Sequence, residues 1–235
     1  MHTNAILITG VSSGIGLSLA KQISAQQIPL IGITSDIKKA TLQWEKNGIP
    51  VNSTDSLLIE ADISSAELKH KIETLLPQNI RIRHIICNSA IMIKKNFFEF
   101  TRDDFQHTYQ TNVWSIINTI QSCFPFLSFP STVTLIGSMG GIPFTQKFKD
   151  LTLYSSSKGA VTVLTELLAQ DLKEHHINVN CLALGSVDTP MFRQTFPGYQ
   201  AQYTPDQIAQ FIIHFISHHA PLVSGQIITI TKSTI

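Results

Sequence analysis

The chain alternates short, dense apolar runs with longer stretches in which apolar residues recur at helical spacing. That order is the signature of repeated βαβ units around a parallel sheet. Strands are predicted at 5–9, 30–34, 57–60, 84–88, 132–136, 178–183 and 226–230, and helices at 15–26, 37–47, 66–76, 102–123, 155–175 and 205–217. The fold class that follows is α/β, a single doubly wound domain over residues 1–235 whose parallel seven-stranded sheet is flanked by helices. Two stretches, 139–153 and 186–203, fit neither periodicity. Both follow strand C-termini, where open α/β sheets bind ligands, so they are the candidate substrate loops.

Composition supports one globular core and narrows the partners. Of the 235 residues, 43% are hydrophobic and 14% charged, and no Pro/Gly/Ser-rich or charge-rich stretch divides the chain. Lys and Arg (17) nearly balance Asp and Glu (16) and are scattered, which leaves no electrostatic footprint for nucleic acid or anionic lipid and favours a small-molecule partner. No apolar run approaches a membrane span, and the first residues lack the pattern of a signal peptide, so a cytoplasmic protein is expected. Cys87, Cys123 and Cys181 are odd in number, lie in apolar contexts and show no C-x-x-C spacing; buried free thiols are expected, and no metal site. The pairs His175-His176 and His218-His219 are sequence neighbours near predicted helix ends, where cations are stabilised, rather than ligands sharing a helix face.

Chemistry enters at the first strand, which runs into Thr9-Gly10-Val11-Ser12-Ser13-Gly14-Ile15-Gly16 and then a helix. Glycines at such a junction let the backbone turn sharply and approach a pyrophosphate, whose charge the helix N-terminus favours. This makes the domain Rossmann-type and predicts a dinucleotide on Gly10, Ser12, Ser13, Gly14, Ile15 and Gly16. Further on, Tyr154-Ser155-Ser156-Ser157-Lys158 opens a predicted helix, and a spacing of four puts phenol and ammonium on one face. A free tyrosine, with a pKa of about 10, is a poor acid-base catalyst at neutral pH. A fixed cation nearby lowers that value, so Lys158 is expected to make Tyr154 a usable proton donor or acceptor.

The T-G-x-x-x-G-x-G spacing resembles the non-extended branch of the short-chain dehydrogenase/reductase family, and the resemblance runs from the first strand to the last. It implies an NAD(P)(H)-dependent interconversion of a carbonyl and an alcohol by hydride transfer. The segment Ile136-Gly137-Ser138-Met139-Gly140-Gly141 is similar to the family's serine segment and implies that Ser138 polarises the substrate carbonyl. Asn112, in Thr111-Asn112-Val113-Trp114, matches the asparagine implied to hold a water in the proton relay to Lys158. In Asn180-Cys181-Leu182-Ala183-Leu184-Gly185-Ser186-Val187-Asp188-Thr189-Pro190, the match implies a nicotinamide contact by Gly185, the Val187 backbone and the Thr189 hydroxyl. Asp62 and Ile63, after the third strand, match the residues at the adenine ring, and Asn88, Ser89 and Ala90 match the N-N-A-G segment beneath the cofactor. A homodimer or homotetramer is implied in the same way.

Departures sharpen the questions for the structure. Cys87 replaces the first asparagine of N-N-A-G, Ala90 its glycine and Leu184 the proline of P-G; the interval from Ser138 to Tyr154 is slightly long, and the usual D-G-G ending is missing. Cofactor choice turns on the end of the second strand, where an acid would bind the ribose hydroxyls of NAD. Thr34 holds that position, Ser35 follows, and Lys38 and Lys39 are close, so NADP(H) is favoured over NAD(H), with Asp36 as the counter-argument. The candidate loops carry Phe144, Phe148, Leu184, Met191, Phe192, Phe196 and Tyr199, the composition of a largely apolar substrate pocket or, equally, of loop packing or an oligomer contact. Against the carbonyl/alcohol oxidoreductase stands a second reading, a dinucleotide-binding sensor or scaffold without turnover.

Overall fold

The computed structural model describes residues 2–232. Strands β1 (Thr3–Thr9), β2 (Leu30–Thr34), β3 (Ser56–Glu60), β4 (Ile80–Cys87), β5 (Leu127–Ser138), β6 (Ile177–Leu184) and β7 (Ile227–Ile230) form one sheet in the order β3-β2-β1-β4-β5-β6-β7. Every pairing is parallel. The order reverses between β1 and β4, and this switch point opens a crevice at the strand C-termini.

Helices on both faces explain why the strands read as continuous apolar runs rather than alternating ones. Successive side chains of a strand point to opposite faces. Thus Leu7 enters the core beneath α3 (Leu68–Leu75), α5 (Ser115–Cys123) and α6 (Thr152–Asp171), while Ile6 and Ile8 enter the core beneath α1 (Gly14–Ala25), α2 (Ile37–Lys46) and α8 (Pro205–His218). Helix starts follow local chemistry. Asp36 caps α2 by accepting from the Lys39 amide at 2.9 Å, and Thr204 and Gln207 form a capping box on α8, with Pro205 in its first turn. The three cysteines are buried free thiols, as expected.

Two elements differ from the sequence expectation. The helix expected over 102–123 is divided into α4 (Arg102–Tyr109) and α5 by a π-turn, Gln110–Trp114. Asn112 sits in this turn at 1% exposure, and the widened backbone directs its amide inward to polar partners. The loop expected over 186–203 contains α7 (Pro190–Thr195), whose first turn is set by Pro190 and capped by the Thr189 hydroxyl, which accepts from the Phe192 amide at 3.1 Å. β5 also begins five residues before the expected 132.

Candidate active site

The ends of β1, β2, β4, β5 and β6 surround a cleft of about 910 Å³. One end is made by the turn between β1 and α1. Gly14 there has φ +54, a conformation L side chains rarely adopt, and a Cβ on Gly16 would overlap the Gly10 carbonyl oxygen. No side chain caps α1, and Ser13, Gly14 and Ile15 at its N-terminus line the cleft. Asn88 fixes the turn from below: its side-chain amide donates to the carbonyls of Thr9 (3.0 Å) and Gly10 (3.1 Å). The backbone amides of Asn88 and Ser89 both donate to the Thr9 hydroxyl at 3.1 Å. Thr9 is therefore a positioning residue absent from the site read in the sequence, although it opens the glycine motif.

Thr34, Ser35, Asp62 and Ile63 line the cleft at the ends of β2 and β3. The Thr34 hydroxyl is closed on its own turn, donating to the Asp36 carbonyl and accepting from the Asp36 amide, both at 3.2 Å. Its expected donation to a phosphate is thereby weakened, and Ser35, which is exposed, is the better-placed hydroxyl. Asp36, as the cap of α2, does not line the cleft, nor do Lys38 and Lys39. Asp62 accepts from the Ser64 amide at 2.8 Å and its hydroxyl at 2.7 Å.

At the other end, Ser138 closes β5 and Tyr154 lies in the first turn of α6. The Ser138 oxygen accepts from the Gly140 amide at 3.1 Å, which leaves its O–H to be donated. Burial raises the pKa of the Tyr154 phenol, and a hydrogen bond with Ser138 pulls it back. Lys158, 3% exposed, donates to the Ile136 carbonyl at 2.7 Å. Burial lowers its pKa to about 8, opposed by the thiols of Cys181 and Cys87. Lys158, expected to lower the Tyr154 pKa, is not among the groups that shift it in this structure. The spacing does bring both to the cleft, but the ammonium is drawn across to β5, and burial dominates the phenol.

Asn112 does not line the cleft. Its side-chain oxygen accepts from the Ile91 amide at 2.8 Å, and its amide donates to the Ile91 carbonyl and the Ser157 hydroxyl, both at 3.0 Å. Ser157 in turn donates to the Tyr154 carbonyl at 2.8 Å. Asn112 thus clips the segment after β4 to the turn that carries the tyrosine, a use of both amide protons that the expected water relay to Lys158 did not foresee.

After β6, Gly185, Val187 and Thr189 line the cleft, and Val187 is bridged to Tyr203. Leu184, in place of proline, continues β6 and pairs with Ile230 of β7. Ser89 and Ala90 line the cleft beside Asn88. Of the apolar loop residues, Phe148, Met191, Phe192 and Phe196 line it, as does Leu184 at the end of β6, whereas Phe144 is fully exposed and Tyr199 lies off it. Ile91, Met92, His107 and Gln146 also line it and carried no motif that could have marked them.

The chain and its fold are similar to those of known proteins. Residues 4–200 match the family described as short chain dehydrogenase. The chain belongs to this family. It is 28% identical over 205 residues to the NADPH-dependent pterin aldehyde reductase of Arabidopsis thaliana, covering 86% of this chain and 82% of that protein. It is 24% identical to the 3-oxoacyl-(acyl-carrier-protein) reductase FabG of Thermotoga maritima, with 95% and 94% covered. Among solved structures, a short-chain dehydrogenase/reductase from Brucella melitensis superposes with a TM-score of 0.86 at 21% identity, covering 98% of this chain and 96% of that one. One from Burkholderia cenocepacia, solved with NADP, gives 0.81 at 21%, with 97% and 96% covered. The short-chain dehydrogenase described here is therefore an enzyme of the NAD(P)-dependent oxidoreductase type, which sets aside the reading as a silent sensor or scaffold. Among the described residues, no helix is long and apolar enough to cross a membrane, and no three His, Cys, Asp or Glu side chains are grouped to hold a metal.

Proposed function

We propose that this short-chain dehydrogenase interconverts a carbonyl and an alcohol at the Ser138 and Tyr154 end of the cleft, with NADP(H) preferred over NAD(H). The observation that carries the reading is the meeting of Ser138, Tyr154 and Lys158 on one cleft whose opposite end is an uncapped helix N-terminus without room for side chains at Gly14 and Gly16. Those features fit a dinucleotide: Ser12, Ser13 and Ile15 would face its pyrophosphate, Asp62 and Ile63 its adenine, and Gly185, Val187 and Thr189 its nicotinamide. When bound, it supplies or takes up the hydride.

The rest is the work of this chain's residues. Ser138, its oxygen held by the Gly140 amide, donates to the substrate oxygen where negative charge develops. Tyr154, kept protonated by burial, transfers its phenolic proton to that oxygen in the reductive direction. Lys158, with one proton committed to Ile136, would hold a ribose hydroxyl with another. Asn112 and Ser157 fix the backbone from which Tyr154 projects. The NADP(H) preference rests on the fate of Asp36: its carboxylate is spent on capping α2, so Asp62 is the sole carboxylate among the described residues lining the cleft, and Ser35 faces the place of the extra phosphate without an acid to repel it.

The test is a fluorescence titration of wild type and Gly14→Asp with NADPH and NADH. Saturable wild-type binding, tighter for NADPH and lost in Gly14→Asp, supports the reading, because an aspartate at φ +54 would also meet Thr189. Folded wild type that binds neither dinucleotide would sink it.

A further inference from the structure

Beyond Ser138 and Tyr154, the cleft is walled by rings from two separate stretches of chain. Phe196 lies 5.4 Å from Phe148 and 5.3 Å from Phe192, with interplanar angles of 57° and 37°. Its position is held from outside by Lys94, whose ammonium sits 5.0 Å from the ring centroid and donates to the Thr195 carbonyl at 3.4 Å. Phe196 is 8% exposed and serves as the anchor, whereas Phe148, also lining the cleft, is 57% exposed and keeps ring surface uncovered. Aromatic surface next to a reacting group gains most from another ring, in edge-to-face or offset contact.

Charge points the same way. Among the described residues lining the cleft, the charged side chains are Lys158 and Asp62. Lys158 is tied to Ile136 at the catalytic end, and Asp62, at the end of edge strand β3, is closed on Ser64. Lys94, the cation beside these rings, is off the cleft lining, with its ammonium on Phe196 and the Thr195 carbonyl. A carboxylate or phosphate on the substrate would therefore lose water beside the phenyl rings with no cation among the described lining residues there to pair it, which is costly.

We infer that the substrate is a neutral aryl ketone or aldehyde whose ring packs on Phe148, Phe192 and Phe196, an inference resting on the carbonyl chemistry proposed above. The test compares tetralone, its saturated analogue decalone, carboxylated tetralone and acetoacetyl-coenzyme A with the full-length enzyme and reduced dinucleotide. Wild type should prefer tetralone to each of the others. Phe148→Ala should raise the KM for both ketones through lost apolar contact, and raise it about 2- to 10-fold more for tetralone than for decalone, the extra loss expected for one ring-on-ring contact. Phe148→Trp should restore the KM and Phe148→Leu should not. Because Phe148 is exposed, these variants leave the fold intact. Tetralone binding to the dinucleotide-loaded protein, followed by ligand-observed NMR, gives a readout independent of turnover and should weaken in Phe148→Ala. Preference for the carboxylated ketone or the thioester, equal use of decalone, full rescue by Phe148→Leu, or no tetralone binding overturns the inference. Dinucleotide binding with thioester turnover would do so while leaving the carbonyl reading standing; absence of dinucleotide binding would remove both.

Discussion

The two ends of the cleft are built on different principles. The end proposed for the dinucleotide is made from backbone: the glycine turn, the start of α1 and the tips of β1, β2 and β4, fixed by Asn88 and Thr9 within one compact knot. The substrate end is made from side chains of three distant segments, after β4, β5 and β6, joined through contacts such as Lys94 on Phe196 and the bond from the Lys95 amide to the Asp150 carbonyl (3.0 Å). A backbone site demands particular residues at fixed spacing, because only glycine tolerates the turn and the close approach. A side-chain site demands only that the right surfaces meet in space. The first is therefore shared across a family, while the second sets what each member acts on.

Tyr154, the proposed proton donor, belongs to the side-chain end, and its loss should have the largest effect. Tyr154→Phe should lower kcat about 10²- to 10⁴-fold while leaving dinucleotide affinity within about twofold, as expected for loss of a general acid that does not carry binding. Because burial raises the phenol pKa and lowers that of Lys158 to about 8, wild-type reduction should be flat with pH up to neutrality, lose dinucleotide affinity first as the Lys158 ammonium deprotonates, and lose kcat only at higher pH where the phenol ionises. Oxidation should rise with pH, since it needs the deprotonated form. Steady-state pH profiles in both directions at saturating dinucleotide test this; a kcat for reduction that falls between neutrality and the ordinary tyrosine range would count against burial as the dominant influence on the phenol.

Legibility in the sequence followed the same division. The strands and the glycine turn were readable because each depends on residues close in sequence, as was the placing of Tyr154 and Lys158 on one helix; Ser138 was marked only by resemblance to the family's serine segment, and all three line the cleft. The role of Asn112 was not, since its partners Ile91 and Ser157 come from elsewhere in the chain and its orientation depends on a π-turn that periodicity does not signal. Nor could spacing show that Lys158 is drawn to a β5 carbonyl. The start of α7 was encoded in Thr189-Pro190, a good cap followed by a good first residue, but six residues are too few for a helical period. Among the loop aromatics, nothing in composition separated Phe196, at 8% exposure, from Phe144, which is fully exposed.

A middling effect is expected at the clip between the two ends. Asn112→Ala leaves the part-buried Ile91 amide without its acceptor and the buried Ser157 hydroxyl without its donor, at a cost of about 1–3 kcal/mol in stability. With Tyr154 less well placed, kcat should fall about tenfold or more while KM changes little, as for loss of orientation rather than binding. Denaturant unfolding and steady-state kinetics on one preparation separate the two. A stability loss with unchanged kcat would make Asn112 purely structural and count against its positioning Tyr154 through Ser157.

The smallest effect sharpens the comparison most, because it asks whether an acid near the dinucleotide end belongs to the site or to the scaffold. Asp36 accepts from the Lys39 amide at the start of α2, the geometry of an N-cap. Asp36→Ala should therefore cost about 1 kcal/mol of stability, whereas Asp36→Asn, which keeps an acceptor oxygen, should cost only a few tenths. Neither change should alter the ratio of NADPH to NADH affinity if the carboxylate is committed to the helix. If it instead met the ribose hydroxyls, both variants would weaken NADH and shift that ratio toward NADPH by about tenfold, the size of one charge-assisted hydrogen bond. Thermal unfolding and the two titrations, measured on the same variants, give opposite patterns for the two cases: stability that follows the side-chain oxygen with constant selectivity, or selectivity that follows the charge.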